Sequence, residues 1–149
     1  MKYLLTFLSF LLVGCQLFDE GTPDAAENTV TSWADAYFNY DYEEALKYTT
    51  PESEKWIRFA ASNITEKDVD FIRQQGNNAT SAVQSRQIAE GDTVGTVDIR
   101  VSNYVQLGAI GKENKVVNEG TFSIRVVKRS GKWQVKMEAL PRSERQSRD

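Results

Sequence analysis

Apolar positions along this chain change their spacing twice. Tyr3 to Val13 is an almost unbroken apolar run, interrupted only by Thr6 and Ser9. From Ala26 onward the apolar residues instead fall four, three and four apart, at Val30, Trp33 and Tyr37, and Phe38 widens the stripe. That spacing predicts an amphipathic helix, opened by Thr22 as cap and Pro23 at the first helical position. Asn39-Tyr40-Asp41 ends it. Asp41 is expected to cap a short second helix, YEEALKY, with Glu44 completing a capping box and Tyr40 stapling onto Ala45. Thr50-Pro51 repeats the cap-then-proline opening for a third helix carrying Trp56, Ile57, Phe59 and Ala60. Thr65 caps a fourth, with Ile64 and Val69 at the staple positions, and Gly76-Asn77-Asn78 stops it.

The period then becomes two. Thr80 to Ala89 alternates weakly and is assigned as a strand, with a turn at Glu90-Gly91-Asp92. Val97, Ile99 and Val101 alternate with Asp98, Arg100 and Ser102, as in a half-buried strand. Leu107 to Lys115 is a glycine-bearing loop. Phe122, Ile124 and Val126 mark a third strand, Ser130-Gly131 a tight hairpin, and Trp133, Val135 and Met137 a fourth. Helices followed by four antiparallel strands with one apolar face predict an α+β domain, with the helices covering that face and the charged face meeting water.

The opening apolar run is too short to span a bilayer, which takes about 20 residues, and suits a signal-peptide core. With Lys2 before it and Leu12-Val13-Gly14-Cys15 at its end, it resembles a bacterial lipoprotein signal, whose cysteine is acylated and becomes the new N-terminus. The resemblance implies a signal over 1–14, a lipidated tether over 15–24, a domain over 25–140 and a polar tail over 141–149. Each buried methylene adds about 0.8 kcal/mol, so two or three acyl chains on Cys15 hold a protein firmly at a membrane. Cys15 is the single cysteine, which excludes an intramolecular disulfide. Asp19 and Glu20 follow it at a distance similar to the surface-export signal of Bacteroidetes lipoproteins. The expected location is the bacterial envelope, lipid-anchored at the outer membrane, with the face left open.

Charge narrows the function. The net charge is −3, with acids and bases intermingled. Nucleic-acid binding calls for a basic stripe that this chain lacks. Histidine is absent, which removes the usual base near neutral pH, the commonest metal ligand and the serine triad in its usual form. Glu43-Glu44 and Asp68-x-Asp70 are neighbours too close in sequence to share a helix face, and read as solvated acids. Neither a metal nor a cofactor is expected.

The long opening helix with Trp33, Tyr37 and Phe38, the segment Asn39 to Tyr48, and the hairpin Ser130-Gly131-Lys132-Trp133 resemble the nuclear-transport-factor-2-like (cystatin-like) superfamily. More narrowly, they resemble its lipoproteins of unknown function in Bacteroidetes. The likeness spans residues 24–140. It implies N-terminal helices packed in the concave face of a curved antiparallel sheet of about four strands, a cone whose open end often takes a small apolar ligand. Some members are isomerases, cyclases or dehydratases, and many are not enzymes.

An isomerase-like site needs a carboxylate base and a tyrosine or protonated acid as oxyanion donor, buried in the cone. Asp35 and Asp98 have the right chemistry, but their phase turns both away from the apolar face. Trp33, Tyr37, Trp56, Phe59 and Trp133 are the candidate pocket residues, weighed against simple core filling. Tyr40, Tyr42, Tyr48 and Tyr104 are candidates for its rim. Asp92-Thr93-Val94 resembles the Bacteroidetes O-glycosylation sequence, which would place a glycan on Thr93. Asn63 and Asn78 match the N-glycosylation pattern, which carries no meaning in a bacterium. The expectation is a non-enzymatic, membrane-anchored binding module for a small apolar ligand, a glycan or an envelope protein. An isomerase-like enzyme and an assembly lipoprotein stay open as alternatives. A homodimer through the outer sheet face, with Asp98, Arg100, Arg125, Gln134 and Lys136, would be a polar one.

Overall fold

A computed structural model describes residues 21–146 and 148. Four helices precede four strands: α1 (Pro23–Phe38), α2 (Tyr42–Leu46), α3 (Glu54–Ser62), α4 (Glu66–Gln75), β1 (Thr80–Gln87), β2 (Val94–Gln106), β3 (Lys115–Arg129) and β4 (Lys132–Val135). A 3-10 turn, Pro51–Ser53, leads into α3. The strands form one antiparallel sheet in the order β1-β2-β3-β4. The sheet is curved and the helices pack against it, an α+β fold. Among the described residues no helix is long and apolar enough to cross a membrane.

Helix α1 begins where its sequence says it should. The Thr22 hydroxyl accepts from Ala25 N at 3.2 Å, Pro23 occupies the first turn, and Asp24 faces the positive end of the helix dipole. The start lies inside the segment read as a tether. Ala26, Val30, Trp33 and Ala34 are fully buried, and α1 touches all four strands. The helix ends at Asn39, whose amide pairs with the Ala79 backbone in both directions (2.9 and 3.0 Å). Tyr40 then takes a left-handed turn at φ 63°. At the other end of β1 Arg86 pairs with Asp24 and Glu27. Asp35 accepts from both the N–H and the hydroxyl of Ser81. One side of α1 is thus fastened along β1 while its apolar stripe lies on the sheet.

The strands pair as their alternation demands. Val97 faces Ile124 and Ile99 faces Phe122 across the β2–β3 ladder, and all four are buried. Ser130 (φ 51°) and Gly131 (φ 75°) make the two-residue hairpin with both φ values positive, the geometry that matches strand twist. Strand β4 is shorter than its alternation suggests. After Val135 the chain is handed to a buried serine: Met137 N donates to Ser53 Oγ at 2.8 Å. On its free edge Val135 bonds Tyr48 O and Thr50 N, so the Tyr48–Thr50 stretch runs beside β4 through a parallel bridge.

Several local expectations change. Asp41 does cap α2, accepting from Glu44 N at 3.1 Å. Its own N–H is already bonded to Ala36 O, so Glu44 turns instead to Lys47 and Tyr48 and no capping box forms. The reciprocal box appears on α4, between Thr65 and Asp68. Asp68 is therefore not a merely solvated acid; it also accepts from Asn114 Nδ2 at 2.8 Å. Helix α4 has no buried residue, so the covering of the sheet falls mainly to α1. The tail does not simply extend into solvent. Ser143 is 6% exposed, and Glu144 N donates to Thr121 O at 3.0 Å.

Candidate functional site

The candidate site grows from the C-terminal end of α1. Trp33 and Tyr37 are one helical turn apart and stack at 4.8 Å between ring centroids, 15° from parallel. Tyr37 then meets Phe38 (5.3 Å) and Tyr42 (5.5 Å), and Tyr42 meets Tyr40 (5.7 Å). Phe38 continues the chain of rings to Tyr104 (5.4 Å) and Phe122 (4.7 Å) on the sheet. Offset and edge-on contacts of this kind stabilise beyond their buried area, by about 0.5–1.5 kcal/mol per pair.

Two backbone features deliver Tyr104 to this cluster. Asn103 sits inside β2 with φ 55°. Although the ladder register does not slip, the inward positions jump from Val101 to Tyr104. Across the ladder Gly120 leaves the space that the ring fills. Asparagine tolerates the left-handed region better than most residues, and a strand glycine often marks such a close approach.

The rings border a partly open hollow of about 210 Å³ walled by Tyr37, Tyr40, Tyr42 and Tyr104, with Leu140, Pro141 and Gln146 of the C-terminal segment as its lid. Burial pushes the Tyr37 phenol up to about 12. It raises Tyr40 and Tyr42 as well; in both the neighbouring phenols add to the effect, and at Tyr40 the Asp68 carboxylate does too. All three hydroxyls therefore stay protonated at neutral pH and act as hydrogen-bond donors. Tyr40 donates to Val105 O at 3.1 Å; the Tyr37 and Tyr42 hydroxyls have no protein partner among the described residues. Tyr104 is also raised by burial, an effect opposed by its hydrogen bond to Ser143 and by the Arg145 charge.

A second, larger hollow of about 630 Å³ lies on the other side of the lid. Its lining includes Trp33, Ile124, Val135 and Met137, with Arg125 and Lys136 at its polar side.

The five residues singled out for the pocket do not come together. Tyr37 lines the aromatic hollow, and Trp33 lines the larger one. Trp33 is also a core residue, fully buried, with Nε1 donating to Thr49 Oγ1 at 3.1 Å. Trp133 is buried at the opposite end and donates to Gly21 O at 3.2 Å, sealing the start of α1 onto β4. Trp56 and Phe59 form an edge-on pair on α3, 6.5 Å apart. Phe59 is 51% exposed, contrary to the inward placement expected. Ile57 is the residue α3 buries, and a residue two places on points about 200° around the helix from it. Of the rim candidates Tyr40, Tyr42 and Tyr104 do line the hollow, whereas Tyr48 turns to Glu44. Thr93 is exposed just before β2. Cys15 lies outside the described residues.

Neither candidate carboxylate reaches the tyrosines. Asp35 is engaged with Ser81. Asp98 stands on the outer sheet face between the hydroxyls of Ser85 (2.7 Å) and Ser123 (2.6 Å). The outer face is otherwise polar, with Arg100 near Glu119 and Arg125 near Glu138. Among the described residues no cluster of metal-ligating side chains occurs.

No protein-family model matches the chain, and no curated protein matches it. Among solved structures it is similar to a protein of unknown function from Mycobacterium tuberculosis. That match has 13% sequence identity, covers 79% of this chain and 69% of the other, and has a TM-score of 0.47.

Proposed function

We propose that this chain is a lipid-anchored bacterial envelope module of the nuclear-transport-factor-2-like superfamily, of the kind found in Bacteroidetes lipoproteins. On this reading it binds a small, flat, apolar molecule bearing an oxygen acceptor, without transforming it. The observation that carries the binding half is the tyrosine wall: Tyr37, Tyr40 and Tyr42 surround one hollow whose wall includes no carboxylate. Aromatic faces supply apolar area, and two unpartnered phenol donors supply orientation. An isomerase-like reaction would need a base near those donors. The engagement of Asp35 with Ser81, of Asp98 on the outer face, and of Asp68 with Thr65 and Asn114 favours binding over that chemistry.

The test is a fluorescence titration with prodan, a neutral naphthyl ketone whose emission reports its surroundings. Saturable blue-shifted emission, weakened about tenfold in the Tyr37→Phe, Tyr42→Phe double variant, supports the reading; loss of one neutral hydrogen bond accounts for roughly that factor. Emission unchanged by the protein contradicts it.

The anchoring half rests on Cys15 and the apolar run before it. Metabolic labelling with a fatty-acid analogue should mark the protein and fail to mark Cys15→Ser. A glycan on Thr93 belongs to the same proposal, supported by the exposure of that residue; a mass shift abolished by Thr93→Ala tests it.

A further inference from the structure

The lid over the tyrosines is the common wall of both hollows. Phe122, Leu140 and Pro141 line each of them. The aromatic hollow is about 210 Å³ and stands partly open to solvent; it is smaller than the usual small-molecule site of about 300–1,000 Å³. A ligand large enough to reach the Tyr37 and Tyr42 hydroxyls and still bury its own surface therefore needs this wall to move.

Leu140 and Pro141 are half-buried, whereas Arg142, Glu144 and Arg145 are exposed, as is Gln146 at the border of the hollow. The Glu144 N–H on Thr121 O (3.0 Å) ties the segment to the sheet, and Ser143 lies beside the Tyr104 hydroxyl. Within the segment Ser143 N and Oγ donate to Gln146 Oε1 (2.9 and 3.3 Å), and Gln146 N donates to Ser143 Oγ (3.4 Å). These bonds close residues 143–146 into one turn. The anchorage also lies at the tyrosines themselves, because Tyr104 is both a wall of the hollow and the neighbour of Ser143.

We propose that residues 140–146 are a hinged strap that lifts as a unit from β3 and Tyr104, joins the two hollows into a single chamber, and closes over the bound molecule. The proposal rests on the binding reading above and adds the route of entry to it.

Two measurements test it on the full-length chain. Native-state hydrogen exchange should find the Glu144 N–H exchanging about a hundredfold faster than the amides of the central β2–β3 ladder, as in a local opening. Exchange as slow as the ladder overturns the strap whatever binds. The second measurement ties the strap down with Thr121→Cys and Glu144→Cys, in a chain carrying Cys15→Ser so that the new pair holds the only thiols. The oxidised form should take up prodan at least about tenfold more slowly than the same protein after reduction, in proportion to the fraction of open chains. Ser143→Ala should speed uptake and release together. Equal rates for the tied, untied and Ser143→Ala proteins mean a fixed wall and overturn the strap while leaving the pocket standing. Uptake by none of the three overturns the pocket, and with it any gating role.

Discussion

Tyr104 lies directly over Gly120: a Cβ added to the glycine would stand 2.6 Å from the tyrosine oxygen and 3.2 Å from its Cε1. The same oxygen meets Ser143, and the same ring contacts Phe38 and Phe122. One missing side chain on β3 therefore makes room for a wall of the hollow and for the seat of the strap.

Gly120→Ala should displace that ring. The expected cost is about 1–3 kcal/mol, the usual range for overfilling a packed site, read as a lowered denaturation midpoint. In a Tyr104→Phe background the contact with the oxygen is gone, so the penalty for Gly120→Ala should shrink. A cycle that closes with no coupling would contradict the placement.

Trp33 anchors the buried polar link between α1 and the segment beside β4. Its Nε1 donates to Thr49 Oγ1, which in turn donates to Ala45 O at 2.8 Å. Trp33→Phe leaves that oxygen without its donor and opens a void, at an expected cost of about 1–3 kcal/mol from the lost bond alone. Thr49→Val should then be less costly in the Trp33→Phe protein than in the unmodified one, which thermal unfolding of the four proteins would read.

Alkali should reach the aromatic hollow late. The folded protein holds Tyr37 at about 12, and raises Tyr40 and Tyr42 also, against an ordinary value of 10.0. Below that ordinary value both folded and unfolded phenols are protonated, and stability does not change. Above it the unfolded chain loses protons first, so stability falls as pH rises toward the folded value. Phenolate absorbance from these three should appear only in that window and alongside loss of near-ultraviolet circular dichroism. Replacing all three by Phe should make the fall with pH shallower.

Acid acts through Asp68. Its bonds from Asn114 and Thr65 hold its carboxyl below the ordinary carboxylate value. The stability it contributes is present above the unfolded value and is lost as pH falls through the depressed folded one. Asp68→Asn should therefore unfold at a temperature that drops less between pH 7 and about pH 3 than that of the unmodified protein. The loss should appear locally as faster hydrogen exchange at Gly108, whose N–H is held by Asn114.

The helices were legible because their ends are written in residue types. Thr22-Pro23, Asp41 and Thr65 each cap where the chain starts to coil, and the spacing of Ala26, Val30 and Trp33 fixes the buried face of α1. The strands were legible from alternation for as long as alternation lasts. It fails at Asn103, whose positive φ shifts the inward phase by one residue, a conformational choice that period counting does not register. Burial goes on alternating through Met137, but the strand ends at Val135, and Ser53, far away in the sequence, takes the Met137 N–H in place of a neighbouring strand. The strap was hidden for a different reason. Leu140 and Pro141 stand before a run of charged residues, and the seat for Ser143 depends on a glycine and a tyrosine from two other strands. Of the tyrosine wall, Tyr37 followed from the helix phase. Tyr40 and Tyr42 owe their places to the left-handed turn after α1, and only their type gave a hint of the role.

Fluorine NMR of the fluorotyrosine-labelled protein reads the tyrosine wall itself, with resonances assigned by Tyr→Phe replacement. On titration with prodan, the signals of Tyr37, Tyr40, Tyr42 and Tyr104 should move together and saturate, while that of Tyr48, which faces Glu44 instead, stays in place. Saturable dye binding that leaves those four signals unmoved would show that the tyrosine wall is not where this protein receives a ligand.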